Sequence, residues 1–219
     1  LHRKKKMRTM KALVCAAALA AGLATAAAQN VYSLNVVGYY NVVCPANQYV
    51  MVANQLNTTN NTLNGLFPSA EPGLRVLKWN GGWDSYVFDD LDLEWIPNGD
   101  ATLNPGEAAL VRSDVAATLT FVGEVLQGNL SFPLPAAEVY GTRASMVPQA
   151  GAIQTDLGFP ADPADKIMKW NGGWDTYTFD DLDLEWVPSE PTLAVGEGML
   201  VLKGAGAAAT AWTRNFTVQ

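Results

Sequence analysis

The sequence predicts an all-β protein made of two tandem copies of a β-sandwich-like or barrel-like module. Three observations support this fold class. A segment of 22 residues occurs twice with few changes. Apolar residues alternate in short runs that Gly, Pro and Asn bound, as is typical of strands. No long stretch beyond residue 30 carries a helical period.

The repeat is the strongest signal in the chain. Residues 76–97 read VLKWNGGWDSYVFDDLDLEWIP and residues 167–188 read IMKWNGGWDTYTFDDLDLEWVP, with an offset of 91 and five differing positions. Weaker similarity continues beyond them, and we match residues 109–111 with residues 200–202. The repeating unit is therefore about 90 residues long, which fits a tandem of small domains better than a short solenoid repeat.

The domain organisation follows from the repeat. We expect a signal peptide at 1–28, a first copy at 29–127 and a second copy at 128–219. The copies either fold separately or pack as a pseudo-twofold pair. The pair is favoured, because no Pro- or Ser-rich linker separates them.

The individual strands are predicted from runs rich in Val, Tyr, Trp, Thr and Phe. These runs are 31–43, 49–53, 74–79, 108–112 and 119–125, and each copy ends in a closing strand, at 117–125 and 211–218. Asn80-Gly81-Gly82 predicts a hairpin that brings Trp79 and Trp83 face to face, because Asn and Gly tolerate positive φ. Residues 171–173 repeat this hairpin for Trp170 and Trp174. Short helical turns are expected within 60–66 and 150–157.

The first 28 residues resemble an export signal. A basic stretch is followed by a small apolar run at 12–24 and by Thr25-Ala26-Ala27-Ala28. This order is typical of a Sec-type signal peptide cleaved near Ala28. The apolar run is shorter than the about 20 residues that a membrane span needs, so a transmembrane anchor is the weaker interpretation. We expect a secreted, periplasmic or cell-surface protein without a membrane span after cleavage.

The composition without residues 1–28 excludes several functions. Eight Lys and Arg stand against 21 Asp and Glu, for a net charge of −13, and no histidine remains. Catalytic triads and zinc sites that use histidine are excluded. The negative charge argues against nucleic acid and against an anionic membrane surface as partners. Cys44 is the one cysteine left, and we expect it to be buried, with a free thiol for dimerisation as the alternative.

Several of these segments resemble a known group of proteins. An apolar strand leads to Leu66-Phe67-Pro68, then to the Lys-Trp-Asn-Gly-Gly motif and to a Leu-x-Pro-Gly-Glu turn at 103–107. This is similar to a β-rich module common in large secreted proteins of environmental Gram-negative bacteria. Residues 30–33 and 37–39, which read NVYS and VGY, resemble the mature start of a group of small exported tandem-module proteins. The resemblance implies an all-β fold outside the cytoplasm and no particular activity. The chain departs from the pattern at Ala108 and Gly198, where such modules often carry an aromatic residue.

The first candidate site is aromatic, because exposed aromatic rings on a β-scaffold stack on the apolar faces of sugars. Its residues are Trp79, Trp83, Tyr86, Trp170, Trp174 and Tyr177. The alternative, which we favour, is that these side chains fill the cores of two small domains. Trp83 and Trp174 lie next to turns and are the better candidates for exposure. Trp95 and Trp186 are expected in the core, because each continues a face that carries two leucines.

The second candidate site is acidic and would bind calcium. Its residues are Asp90, Asp92 and Glu94, repeated as Asp181, Asp183 and Glu185. In an extended strand these carboxylates share one face about 6.6 Å apart, which is wide for one calcium ion. A loop would bring them closer together. The alternative is a solvated strand face that protects a sheet edge.

Three functions are compatible with these features. The first is a secreted, non-catalytic structural or binding protein of the cell envelope or exterior, which self-associates or binds envelope components. The second is a carbohydrate-binding protein, with polysaccharide as the partner and calcium as an optional cofactor. The third is a glycoside hydrolase, since that chemistry needs only two carboxylates. Near-identical copies disfavour the enzyme, because duplication benefits binding through avidity.

Overall fold

A computed structural model describes residues 36–218, and within them the chain forms sixteen β-strands and one short helix. The predicted signal peptide lies outside the described residues. The elements in chain order are β1 (Val37–Cys44), β2 (Tyr49–Ala53), α1 (Leu63–Leu66), β3 (Arg75–Trp79), β4 (Trp83–Phe88), β5 (Trp95–Ile96), β6 (Ala108–Arg112), β7 (Ala117–Glu124), β8 (Gly128–Pro133), β9 (Tyr140–Arg143), β10 (Gly151–Ala152), β11 (Lys166–Trp170), β12 (Trp174–Phe179), β13 (Trp186–Val187), β14 (Thr192–Leu193), β15 (Met199–Leu202) and β16 (Ala211–Phe216).

The strands form two five-stranded antiparallel sheets and three two-stranded ribbons. The sheets have the orders β2-β6-β3-β4-β5 and β9-β15-β11-β12-β13, and the ribbons are β1-β7, β8-β16 and β10-β14. Both sheets have the same topology. The strand that comes first in the chain lies at one edge, the strand that comes last lies beside it, and the second, third and fourth strands follow in order. Of the described residues, 46% are in strands and 2% are in the helix, so the all-β prediction is confirmed.

The two predicted hairpins form as expected. Trp79 pairs with Trp83 between β3 and β4, and Trp170 pairs with Trp174 between β11 and β12. Each hairpin has a three-residue turn, in which Gly81 and Gly172 take positive φ angles of 75° and 76°. An Asn-Gly-Gly turn adopts this backbone at little steric cost.

The predicted alignment of residues 109–111 with residues 200–202 was wrong by one residue. Val111 pairs with Val76 in the first sheet, and Val201 pairs with Ile167 in the second. Val111 therefore corresponds to Val201 and not to Leu202. The second copy is one residue shorter before this strand, and a slip of one residue would exchange the buried and exposed faces.

Three groups of buried side chains form the core. The first lies within residues 40–125 and includes Phe121 and Cys44, so Cys44 is buried as expected. The second lies within residues 134–212 and includes Trp212 and Phe159. The third, the central cluster, consists of Met51, Ala53, Ala108, Leu110 and Ala144, so it contains residues of both sequence copies.

Reciprocal backbone hydrogen bonds join the sequence copies beside the central cluster. The Ala53 N–H donates to the Gly196 carbonyl oxygen over 2.8 Å, and the Ala144 N–H donates to the Gly106 carbonyl oxygen over 2.9 Å. The two acceptors occupy the same place in the two Gly-Glu turns. Both are glycines with positive φ, at 95° for Gly106 and 79° for Gly196.

Replacing Gly196 by alanine is expected to destabilise the protein more than replacing Gly172. A Cβ atom at Gly196 would lie 2.6 Å from a Val42 methyl carbon and 2.8 Å from the Tyr40 ring, whereas one at Gly172 meets no atom within 4 Å. Both changes place alanine at positive φ, which costs about 1–2 kcal/mol. The clash at Gly196 adds about 1–3 kcal/mol. Urea unfolding followed by tryptophan fluorescence measures both losses, and equal losses would show that the contact between the copies is unimportant.

Candidate functional site

Four of the predicted aromatic residues come together where the two sheets meet. We call Trp79, Trp83, Trp170 and Trp174 the tryptophan seam. Within each hairpin the two rings meet edge to face, with centroids 5.1 Å apart for the first pair and 5.0 Å for the second. This is a favourable geometry for aromatic pairs.

The two hairpins also contact each other through their second tryptophans. The rings of Trp83 and Trp174 stack with centroids 6.4 Å apart and an interplanar angle of 13°. Trp174 keeps 36% of its surface exposed, whereas Trp83 is half-buried and packs against the central cluster. One face of each ring is therefore used inside the protein, and Trp174 is the more exposed of the two.

The first tryptophan of each hairpin donates a hydrogen bond to the other sequence copy. The Trp79 Nε1–H donates to the Tyr140 carbonyl oxygen over 2.9 Å. The Trp170 Nε1–H donates to the Tyr49 carbonyl oxygen over 2.8 Å. Tyr49 and Tyr140 begin β2 and β9, so the two bonds are reciprocal. Because an indole has one N–H donor, neither ring can offer that donor to a ligand.

The other two predicted aromatic residues lie elsewhere. Tyr86 packs against the first core group and Tyr177 against the second, and both are half-buried. They lie three residues after Trp83 and Trp174 on the same strands. Side chains at odd spacing point to opposite faces of a strand, so the structure does not bring them into the seam.

The acidic motif forms a turn instead of a strand. The Asp89 carboxylate accepts hydrogen bonds from the backbone N–H groups of Leu91 and Asp92, over 2.9 Å and 3.1 Å. These bonds hold the pKa of Asp89 below its ordinary value of 3.8. Asp180 repeats the arrangement with Leu182 and Asp183, and its pKa is lowered for the same reason.

The turn changes the expected environment of the motif's leucines. Leu91 and Leu93 are 85% and 59% exposed, so they do not form a buried face that leads to Trp95. Trp95 and Trp186 are nevertheless buried, at 4% and 7% exposure, as predicted. Their burial follows from packing on Phe67, Phe88, Phe159 and Phe179.

The carboxylates proposed to bind calcium are exposed on these two turns. They are Asp90, Asp92, Glu94, Asp181, Asp183 and Glu185. Within residues 36–218, no group of three or more His, Cys, Asp or Glu side chains is arranged to hold a metal ion. The acidic residues that organise the turns are Asp89 and Asp180, which the strand interpretation missed. An Asp that precedes a turn often accepts such bonds from the backbone two residues on, and this was the available signal.

A groove of about 390 Å³ lies beside the seam. Its walls combine aromatic and polar side chains from both sequence copies: Asn41, Gln48, Tyr49, Trp170, Asn171 and Glu197. Glu197 is held by Lys169 with a nitrogen-to-oxygen distance of 3.0 Å. Sequence reasoning found only Trp170 here, because the other residues lie up to 156 positions apart and carry no shared motif.

Two further observations concern membrane spans and known proteins. In the described part of the chain, no helix is long and apolar enough to cross a lipid bilayer. No protein-family model, curated protein or solved structure matches the chain.

Proposed function

We propose that the protein is an exported, non-catalytic structural or binding protein that acts at the cell envelope or outside the cell. Its two sequence copies, 29–127 and 128–219, would form one pseudo-twofold pair. The observation that carries this proposal is the reciprocal pair of tryptophan hydrogen bonds across the seam. Export is supported by the signal-like composition of residues 1–28.

The seam favours a fixed pair over two independent binding modules. Each copy supplies one indole donor and one carbonyl acceptor, and the stacked rings of Trp83 and Trp174 lie between the hairpins. Aromatic pairs of this kind stabilise an interface by about 0.5–1.5 kcal/mol beyond the area that they bury. The most recognisable repeated motif is therefore used largely to hold the protein together.

Carbohydrate binding is the second candidate function, and the groove favours it. A ring beside amide side chains matches the apolar faces and hydroxyl groups of a sugar chain. Asn41, Gln48 and Asn171 offer both donors and acceptors in the same groove as Trp170. The partner would be a neutral or cationic glycan, because the chain has a large negative charge.

A panel of insoluble polysaccharides, with calcium or with a chelator, tests the second candidate. We expect retention on one glycan and a several-fold loss of affinity for Asn171→Ala, which removes a groove amide. Asn80→Ala is the matched control, since Asn80 holds the same place in the other hairpin and does not line this groove. Equal losses for the two variants would contradict the groove as the site. Loss of binding with the chelator would bring the acidic turns into the site.

Trp83→Ala and Trp174→Ala test whether the seam itself binds sugar. Variants that stay folded and lose retention would assign the ligand to the seam. Variants that unfold would assign the two rings to the interface between the copies.

Expression of the full chain tests the primary proposal. The full chain, expressed in a Gram-negative host, is expected outside the cytoplasm with Gln29 as its first residue, which intact-mass measurement determines. Retention on no polysaccharide, together with association with envelope fractions, would favour the structural role. Turnover of a glycan that Asp90→Asn or Asp181→Asn abolishes would instead establish the glycoside hydrolase.

A further inference from the structure

A lysine with a fully buried side chain lies at the end of β15. The Lys203 side chain has no exposed surface, and its Nζ contacts the Asp165 carboxylate, which is also fully buried. The Nζ also lies 2.8 Å from an Asp162 carboxylate oxygen and 3.1 Å from the Pro160 carbonyl oxygen. The Phe159 ring covers the group, with its centroid 5.5 Å from Nζ.

The fold itself does not require these charges. In the first copy, the Phe88 N–H donates to the Leu74 carbonyl oxygen, as the Phe179 N–H donates to the Asp165 carbonyl oxygen. Leu74 therefore holds the place of Asp165. Ser113 follows the last residue of β6 as Lys203 follows the last residue of β15, and both are buried. The same strand arrangement thus forms around an uncharged pair of residues.

Burying the ion pair is costly. The loss of hydration for each ion in a dry interior amounts to several kcal/mol, and mutual attraction repays it only in part. A reaction that turned the two charges into one neutral group would remove this cost. An ammonium group and a carboxylate in contact can do so by forming an amide and releasing water.

The surrounding groups suit that reaction. The Gly204 N–H donates to Asp165 Oδ1 over 2.8 Å, and the Asp162 N–H donates to Asp165 Oδ2, also over 2.8 Å. Two backbone donors on one carboxyl group stabilise the negative charge that develops on its oxygens when a nucleophile attacks the carbon. The contact of Nζ with the same carboxyl group places the nucleophile beside that carbon.

The contact between the Asp162 carboxylate and Nζ places Asp162 where it can accept the proton. Burial alone would raise the pKa of its carboxyl group, but hydrogen bonds from Lys203 and from the Ala209 N–H outweigh burial and hold the pKa below 3.8. Asp162 is thus an anion in contact with the ammonium group. Its side chain is 17% exposed, which connects the buried pair to the solvent.

We propose that Lys203 and Asp165 form an intramolecular amide cross-link, with Asp162 as the proton carrier. Asp162 takes a proton from Nζ, and the free amine attacks the carboxyl carbon of Asp165. The new C–N bond forms as one carboxyl oxygen leaves, with the protons returned by Asp162, as water. One ammonium and one carboxylate become one amide and one water molecule, so no oxidant or other reactant is needed. The product joins the start of β11 to the end of β15.

Intact-mass spectrometry of the purified full chain tests the proposal. We expect a mass one water molecule below that calculated for residues 29–219, and a protease digest that yields one branched peptide containing Lys203 and Asp165. Lys203→Ala is expected to have the full mass. Asp165→Asn is expected to lose ammonia and to reach the same product mass as the wild-type chain, because the same amide forms. Asp162→Asn removes the proton carrier and is expected to keep the full mass while retaining the wild-type near-UV circular dichroism.

Two results would overturn the cross-link. One is a wild-type chain that has lost no water from the mass calculated for residues 29–219 and that is folded, as cooperative unfolding shows. The other is a loss of water that persists in Lys203→Ala, since that loss must come from another group. Either result would leave Lys203 and Asp165 as an ordinary buried ion pair.

Discussion

Replacing Lys203 by methionine is expected to lower the free energy of unfolding by about 3–5 kcal/mol, because a buried carboxylate is left without a partner. Methionine fills much of the same space but leaves the fully buried Asp165 side chain as a carboxylate that Lys203 no longer contacts. Two backbone N–H groups still bond to that carboxylate, but they do not neutralise it. Urea unfolding followed by tryptophan fluorescence measures the loss.

The double variant Asp165→Leu with Lys203→Met isolates the contribution of the unpaired charge. It places at position 165 the residue that the first copy carries at Leu74. Apolar replacement of both partners of a buried pair is often neutral or stabilising. We therefore expect the free energy of unfolding of the double variant to exceed that of Lys203→Met by about 2 kcal/mol. Any deficit that remains against the wild-type chain measures the contribution of the cross-link. Equal stability of the single and double variants would contradict a buried charge as the cause.

Replacing Trp212 by alanine is expected to lower the free energy of unfolding by about 3–5 kcal/mol, as truncations of large aromatic side chains in a core do. Trp212 is 1% exposed, and its ring meets the Phe159 ring edge to face with centroids 5.3 Å apart. Its Nε1–H also donates to the Leu157 carbonyl oxygen over 2.9 Å. The truncation therefore leaves a cavity and a buried acceptor without its donor. Thermal and urea unfolding both measure the effect.

Trp212→Phe is the matched control, because in the first copy Phe121 meets the Phe67 ring edge to face, as Trp212 meets the Phe159 ring. It retains a ring against Phe159 and loses the N–H donor, so the expected cost falls to about 1–3 kcal/mol. A loss as large as that of the alanine variant would show that the hydrogen bond, and not the packing, dominates at this position.

The strands and hairpins were predictable because their signals are local. Alternation of apolar residues determines which runs become strands, and an Asn-Gly-Gly turn determines where β3 meets β4. The acidic motif shows the limit of that reasoning. Its alternating pattern fits a strand, but the Asp89 carboxylate bonds to the following backbone N–H groups and ends the strand at Phe88.

The candidate site was predictable only in part. Tryptophans at matching hairpin positions were evident from the repeat, and four of them form the seam. Their mutual contact was not evident, because it depends on how two sheets approach each other. Tyr86 and Tyr177 were grouped with them by sequence proximity, but the strand geometry turns them to the opposite face.

The sequence by itself determines the all-β class, the repeat and the two hairpins, since periodicity and turn chemistry act over a few residues. Trp95 and Trp186 are buried as predicted, but packing on distant phenylalanines and not the expected leucine face buries them. Only the tertiary structure decides that Trp79 and Trp170 donate hydrogen bonds across the copies, that a groove opens beside them, and that Lys203 meets Asp165. The three side-chain contacts join residues 38 to 121 positions apart. No local pattern encodes such distant pairings, because they arise from the packing of whole sheets.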